Sequence, residues 1–101
     1  MSEQDLKPRL KPELKVEKPK LYKVILFNDD FTPREYVMLV LQGEFRLSED
    51  QAYHVMMTAH RKGVCVVSVY PRDVAETKAT KATEAGRAMG FPLRFDVEPE
   101  D

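Results

Sequence analysis

Three features of this 101-residue sequence predict an α+β fold, a three-stranded antiparallel sheet packed against three helices in the order β-α-α-β-α-β. Two short runs, residues 21–27 and 64–70, are dense in β-branched, aliphatic and aromatic side chains and are bounded by turn formers. Three other stretches repeat their apolar residues at three- and four-residue spacing, the mark of one-sided helices. Gly63 and Gly90 stand where two of those stretches stop and an extended run follows. Gathering the helices on one face of a small sheet is the economical way to bury such elements.

Residues 1–20 read as a separate arm. Half are charged, Pro8, Pro12 and Pro19 punctuate them, and no aromatic occurs. Leu6, Leu10 and Leu14 fall four apart, but Pro8 and Pro12 would break a helix bearing that stripe. A flexible N-terminal extension is expected before a core domain over residues 21–101.

Leu21-Tyr22-Lys23-Val24-Ile25-Leu26-Phe27 is the first strand, closed by Asn28-Asp29-Asp30. Thr32-Pro33-Arg34-Glu35 has the form of a capping box, with Thr32 as N-cap, Pro33 at the first helical position and Glu35 at the third. The helix it opens turns Tyr36, Val37, Val40, Leu41 and Phe45 towards the core. Ser48-Glu49-Asp50-Gln51 is a second capping box. Its helix carries Ala52, Val55, Met56 and Ala59 on one face, with His60 a turn beyond Met56. Residues 64–70, four of them valine, form the next strand, with Cys65 expected in the core. Pro71 opens a third helix whose stripe is Ala75, Ala79, Ala82, Gly86 and Met89, small enough to lie close to a sheet. Residues 93–97 alternate as a half-buried last strand.

Charge and composition exclude several functions. Formal net charge is −1, and the first twenty residues hold six basic and four acidic side chains, leaving −3 on the body. Nucleic-acid binding needs a basic excess that is missing here. No apolar run is long enough for a membrane span, and the first twenty residues lack a secretory h-region. One cysteine makes no internal disulfide. A cytoplasmic monomer without metal or cofactor is the expectation.

Two places could carry chemistry. Asn28-Asp29-Asp30 suits a turn before a helix; with Thr32 supplying the cap, its three polar side chains are also surplus to capping and free for a ligand. His60 on an apolar face is ordinarily a satisfied, half-buried side chain. Placed near Asn28 and Asp29, it would complete a ring of acceptors for a small cation, because imidazole, amide carbonyl and carboxylate all accept from an ammonium group. His54, six residues earlier, lies on another face, so the histidines are no metal pair. No nucleophile–base arrangement or phosphate-cradling loop stands out, and a binding module fits better than an enzyme.

The strings Leu21-Tyr22-Lys23-Val24-Ile25-Leu26-Phe27-Asn28-Asp29-Asp30-Phe31-Thr32-Pro33, Met56-Met57-Thr58-Ala59-His60, Val74-Ala75-Glu76-Thr77-Lys78 and Pro92-Leu93 resemble the ClpS adaptor family in order and spacing, over about residues 20–98. The resemblance implies an adaptor that binds the free α-amino group and bulky side chain (Leu, Phe, Tyr or Trp) of N-degron substrates. It implies delivery to the N-terminal domain of a ClpA-type AAA+ unfoldase working with the ClpP protease. It assigns the amino group to Asn28, Asp29 and His60, and the hydrophobic pocket to Val37, Met56 and Leu93 with Asp30 and Thr32 beside them. Tyr70, Asp73 and Lys78 match the unfoldase-docking surface. Two pocket positions depart from the pattern: Arg34 replaces a common gating methionine, and Ala59 a larger aliphatic. The expectation is a roomier pocket that favours aromatic first residues. Two other functions share parts of this reading: an interaction domain of the translation or assembly machinery, and a small hydrolase using Asp29 and His60.

Overall fold

The computed structural model describes residues 19–101, so the arm expected over residues 1–20 lies, except for its last two residues, outside the described residues. Strand β1 (Leu21–Phe27) is followed by helices α1 (Arg34–Gly43) and α2 (Glu49–Lys62), strand β2 (Val64–Pro71), helix α3 (Arg72–Ala88) and strand β3 (Arg94–Pro99). The sheet order is β2-β1-β3, with both pairings antiparallel. The predicted architecture is the observed one.

β1, the central strand, is a nearly continuous apolar run broken only by Lys23. Tyr22, Val24 and Leu26 join the core, and Val24 is fully buried. Lys23, Ile25 and Phe27 alternate away from it, opposite Val69, Val66 and Val64 on β2. Pairing jumps from Val24 with Ser68 to Ile25 with Val66, leaving Val67 as an extra residue. This bulge turns Val67 into the core while Val66 and Val69 stay exposed. Cys65 is only half-buried, a correction to its expected core position: its strand lies at the sheet edge, where one flank faces solvent.

α3 lies close to the sheet through Ala75, Ala79, Ala82 and Gly86, all buried. A β-carbon at Gly86 would sit 3.0 Å from Leu93 Cβ, so the approach depends on the missing side chain. Met89, expected on this stripe, is 59% exposed: it follows the last helical residue, where the chain leaves the helical path towards Gly90. Phe45 and Phe95 stack at 5.0 Å and tie the end of α1 to β3.

The second capping box forms as read. Ser48 Oγ accepts from the Gln51 amide at 3.1 Å, and Gln51 Oε1 accepts from the Ser48 amide at 2.9 Å. Gly63, at φ 94°, ends α2 in a conformation that a β-carbon would disfavour. The first box does not form. Pro33 occupies the N-cap of α1, in extended conformation and with no side-chain cap. Thr32 thus lies one residue before the cap, and its Oγ1 donates to Asp29 Oδ2 at 2.9 Å on the loop side.

Candidate functional site

The loop from β1 to α1 is built around Asp29. Its Oδ1 accepts from the amides of Phe31 (2.8 Å) and Thr32 (2.7 Å), while Oδ2 takes the Thr32 hydroxyl. Three of roughly four acceptor sites on this carboxylate therefore serve the loop itself. The side chain expected to be surplus to local structure is what shapes it. Asn28 anchors the other end of the turn, its amide donating to the Gly63 carbonyl at 2.9 Å. That bond fastens the end of β1 to the C-terminal end of α2. It brings Asn28 beside His60, 32 residues further along the sequence.

A cleft of about 210 Å³ opens at this junction, lined by Asn28, Asp29, Asp30, Thr32, Arg34, Val37, Met56 and His60. Val37 from α1 and Met56 from α2 are buried and supply its apolar floor. Asn28, Asp30, Arg34 and His60 are exposed at the rim, while Asp29 and Thr32 are half-buried between. His60 is thus not the half-buried histidine ordinarily expected on an apolar face; it stands in the last turn of α2, where the helix runs out of core to cover it. The arrangement offers an amide carbonyl, an imidazole, one remaining lone pair of Asp29 and the exposed Asp30 carboxylate around a hollow floored by Val37 and Met56. It suits an ammonium group attached to a greasy side chain.

Two of the residues assigned to the pocket lie elsewhere. Ala59 is buried in the core on the inner face of α2. Leu93 is buried against Gly86 and borders a separate depression beside Thr83, Arg87 and Phe91. Neither is among the cleft-lining residues.

The residues matched to the docking surface form a second constellation. Lys78 Nζ lies 5.6 Å from the centre of the Tyr70 ring and donates to the Glu44 carbonyl at 2.9 Å. Asp73 and Lys78 share a shallow depression with Glu44, Val74, Thr77 and Lys81. Sequence reasoning missed Glu44, 34 residues from Lys78. The one available signal was the absence of a cation in the last turn of α1. Among the described residues no histidine, cysteine and carboxylate cluster fit for a metal ion occurs, and no helix is long and apolar enough to cross a membrane.

Fold and cleft together define a small binding module, with acceptors around an apolar hollow and a separate basic–aromatic surface. Comparison with known proteins gives the family. A family model described as "ATP-dependent Clp protease adaptor protein ClpS" matches residues 17–96. The chain is 65% identical, over the whole of both sequences, to the "ATP-dependent Clp protease adapter protein ClpS 2" of Mesorhizobium japonicum. It is equally similar, 65% over 103 residues and again all of both chains, to the ClpS 1 adapter of Rhodopseudomonas palustris. Its structure is similar to that of Agrobacterium tumefaciens ClpS2 bound to L-phenylalaninamide, with a TM-score of 0.79 and 61% identity over 82% of this chain and 100% of that one. This chain belongs to the ClpS family of Clp protease adaptors.

Proposed function

We propose that this chain captures proteins by a free N-terminal amine followed by a bulky apolar side chain, and delivers them to a ClpA-type unfoldase for degradation by ClpP. The observation that carries the reading is the joining of Asn28, Asp29 and His60 with Val37 and Met56 around one cleft. The phenylalaninamide held by the Agrobacterium relative supports it, since that ligand presents the same amine and an aromatic ring.

The energetics are consistent with a recognition module. Burying a Phe or Leu side chain contributes roughly 1.5–3 kcal/mol. Each hydrogen bond from a charged amine adds about 1.5–3 kcal/mol before association costs. Asp29 contributes mainly charge and loop shape, because most of its lone pairs are taken. Arg34 covers the rim with its stem and keeps its head in water, and aromatic first residues are favoured over leucine. Delivery uses the face of Tyr70, Asp73 and Lys78. The adaptor acts as a cytoplasmic monomer and needs no cofactor.

Fluorescence anisotropy with a Phe-led peptide and its N-acetylated twin tests the reading. Tight binding of the first and loss of the second is the expected result. Equal retention of both would leave an interaction domain with no interest in chain termini. The selectivity claim needs Leu- and Phe-led peptides on the parent and on Arg34→Met; an unchanged ratio sinks it.

A further inference from the structure

Asp29 and Asp30 approach the cleft from the β1–α1 loop, and Arg34 approaches from the first turn of α1. Arg34 is exposed and, among the described residues, is in no ion pair, unlike Arg72 with Glu76, Lys78 with Glu44 and Arg94 with Asp96. The two carboxylates and the guanidinium therefore border one hollow without neutralising each other at contact. The position is also unfavourable for a cation, since the N-terminal end of a helix carries positive partial charge. Arg34 contributes nothing to the stability of α1 through its charge.

A peptide does not employ this charge at its first residue. Its first carboxyl group is an amide, so the ligand offers an ammonium for Asp29, Asn28 and His60 but no anion for Arg34. A free α-amino acid offers both, one on each side of the same carbon. Without Arg34 the two carboxylates of the lining would repel a ligand carboxylate; with it, the lining presents both signs. We infer that the cleft also binds a free α-amino acid with a bulky apolar side chain, as its zwitterion, with Arg34 receiving the α-carboxylate. The inference rests on the proposed amine-binding role of the cleft. It makes the free amino acid a competitor of protein substrates, so that delivery responds to the supply of aromatic amino acids.

Displacement of a labelled Phe-led peptide by L-phenylalanine and by L-phenylalaninamide tests the inference, read as the ratio of their inhibition constants. In the parent protein the free acid should compete within a few-fold of the amide. In Arg34→Gln the ratio should shift against the acid by about fivefold, the worth of an exposed ion pair. About 1 M salt should shift the ratio against the acid in the parent, and in Arg34→Gln should move it the other way as the repulsion from the two lining carboxylates is screened. A ratio identical in both proteins overturns the inference, as does displacement by the amide alone. A gain dependent on Arg34 and confined to peptides with glutamate second would assign Arg34 to that residue and equally overturn it. A probe that the parent fails to bind overturns the peptide reading itself, an outcome distinguishable from the others.

Discussion

Lys78 Nζ on α3 donates to the backbone carbonyl of Glu44, the C-cap residue of α1, at 2.9 Å. α1 has no cation in its own last turn, and α3 supplies one from outside. A cation at a helix C-terminus satisfies an orphan carbonyl and opposes the negative end of the helix dipole. The Glu44 carboxylate adds little at 3.9 Å.

Replacing Lys78 by methionine keeps the stem and deletes the bond. Hydrogen bonds to charged groups are worth about 1.5–3 kcal/mol. Because a quarter of the side chain is exposed, a loss of about 1 kcal/mol is expected. That corresponds to a fall in Tm of about 4–8 °C for a domain of this size. Thermal unfolding of the two proteins within a degree of each other would show that this bond adds nothing to the stability of the fold.

Asp29 separates charge from shape. Asp29→Ala removes an acceptor from two amides and a hydroxyl at once, and should destabilise the domain by about 1–2 kcal/mol. Asp29→Asn keeps one oxygen for the Phe31 and Thr32 amides, so the fold should lose less than about 0.5 kcal/mol. Affinity for a Phe-led peptide should nonetheless drop about tenfold in Asp29→Asn, one ionic hydrogen-bond equivalent. Urea unfolding and anisotropy on both variants decide this. Full affinity in Asp29→Asn would limit the residue to a structural role.

The elements were legible because each is locally consistent. β1 reads from its dense run of β-branched, aliphatic and aromatic residues and its flanking turn, α2 from a capping box that forms as written, and the stop of α2 from Gly63. Thr32 misled because a hydroxyl followed by Pro33 and Glu35 satisfies the capping pattern, while the helix starts one residue later, with Pro33 at the cap and the Thr32 hydroxyl turned to the Asp29 carboxylate. The site residues followed the same division. Val37 and Met56 were visible as core-facing positions, and Asn28 with Asp29 as a polar turn. Their meeting with His60 depends on the long-range bond from Asn28 to Gly63, which no spacing encodes. Ala59 and Leu93 were placed in the pocket by resemblance, and both stand outside the lining in this structure.

Gly86 should not tolerate alanine. A methyl group in a helix interior normally gains up to about 1 kcal/mol over glycine. Here the new carbon would lie 3.0 Å from Leu93 Cβ, an atom tied to the backbone and unable to swing aside. Overpacking of about 1–3 kcal/mol outweighs the gain, so Gly86→Ala should melt several degrees below the parent. A higher melting temperature would mean that residues 91–93 yield freely.

Burial pushes the Cys65 thiol up from its ordinary range, while Thr58 and Lys62 oppose the shift. A raised pKa leaves less thiolate at any given pH, and the thiolate is the reactive form. Alkylation by iodoacetamide at about pH 8 should therefore be slower in the folded protein than in urea. The sign for stability follows too: the folded thiol holds its proton longer, so this contribution is present at neutral pH and is lost as alkali removes the proton. Equal alkylation rates in both states would show that the sheet edge gives Cys65 no shelter.

The proposed contact of His60 with the bound amine makes binding sensitive to acid. As an exposed rim residue it can accept from a ligand ammonium only through an unprotonated ring nitrogen. Protonation converts the acceptor into a donor and places one cation against another. With the peptide amine fully charged, affinity for a Phe-led peptide should therefore fall on further acidification. His60→Gln keeps a carbonyl acceptor that does not titrate, so its profile should be flatter while its affinity near pH 8 is lower than that of the parent. Unfolding measured over the same range separates loss of the cleft from loss of the acceptor. If parent and His60→Gln weaken in parallel on acidification, the titrating group lies elsewhere in the cleft, and His60 is not a direct partner of the amine.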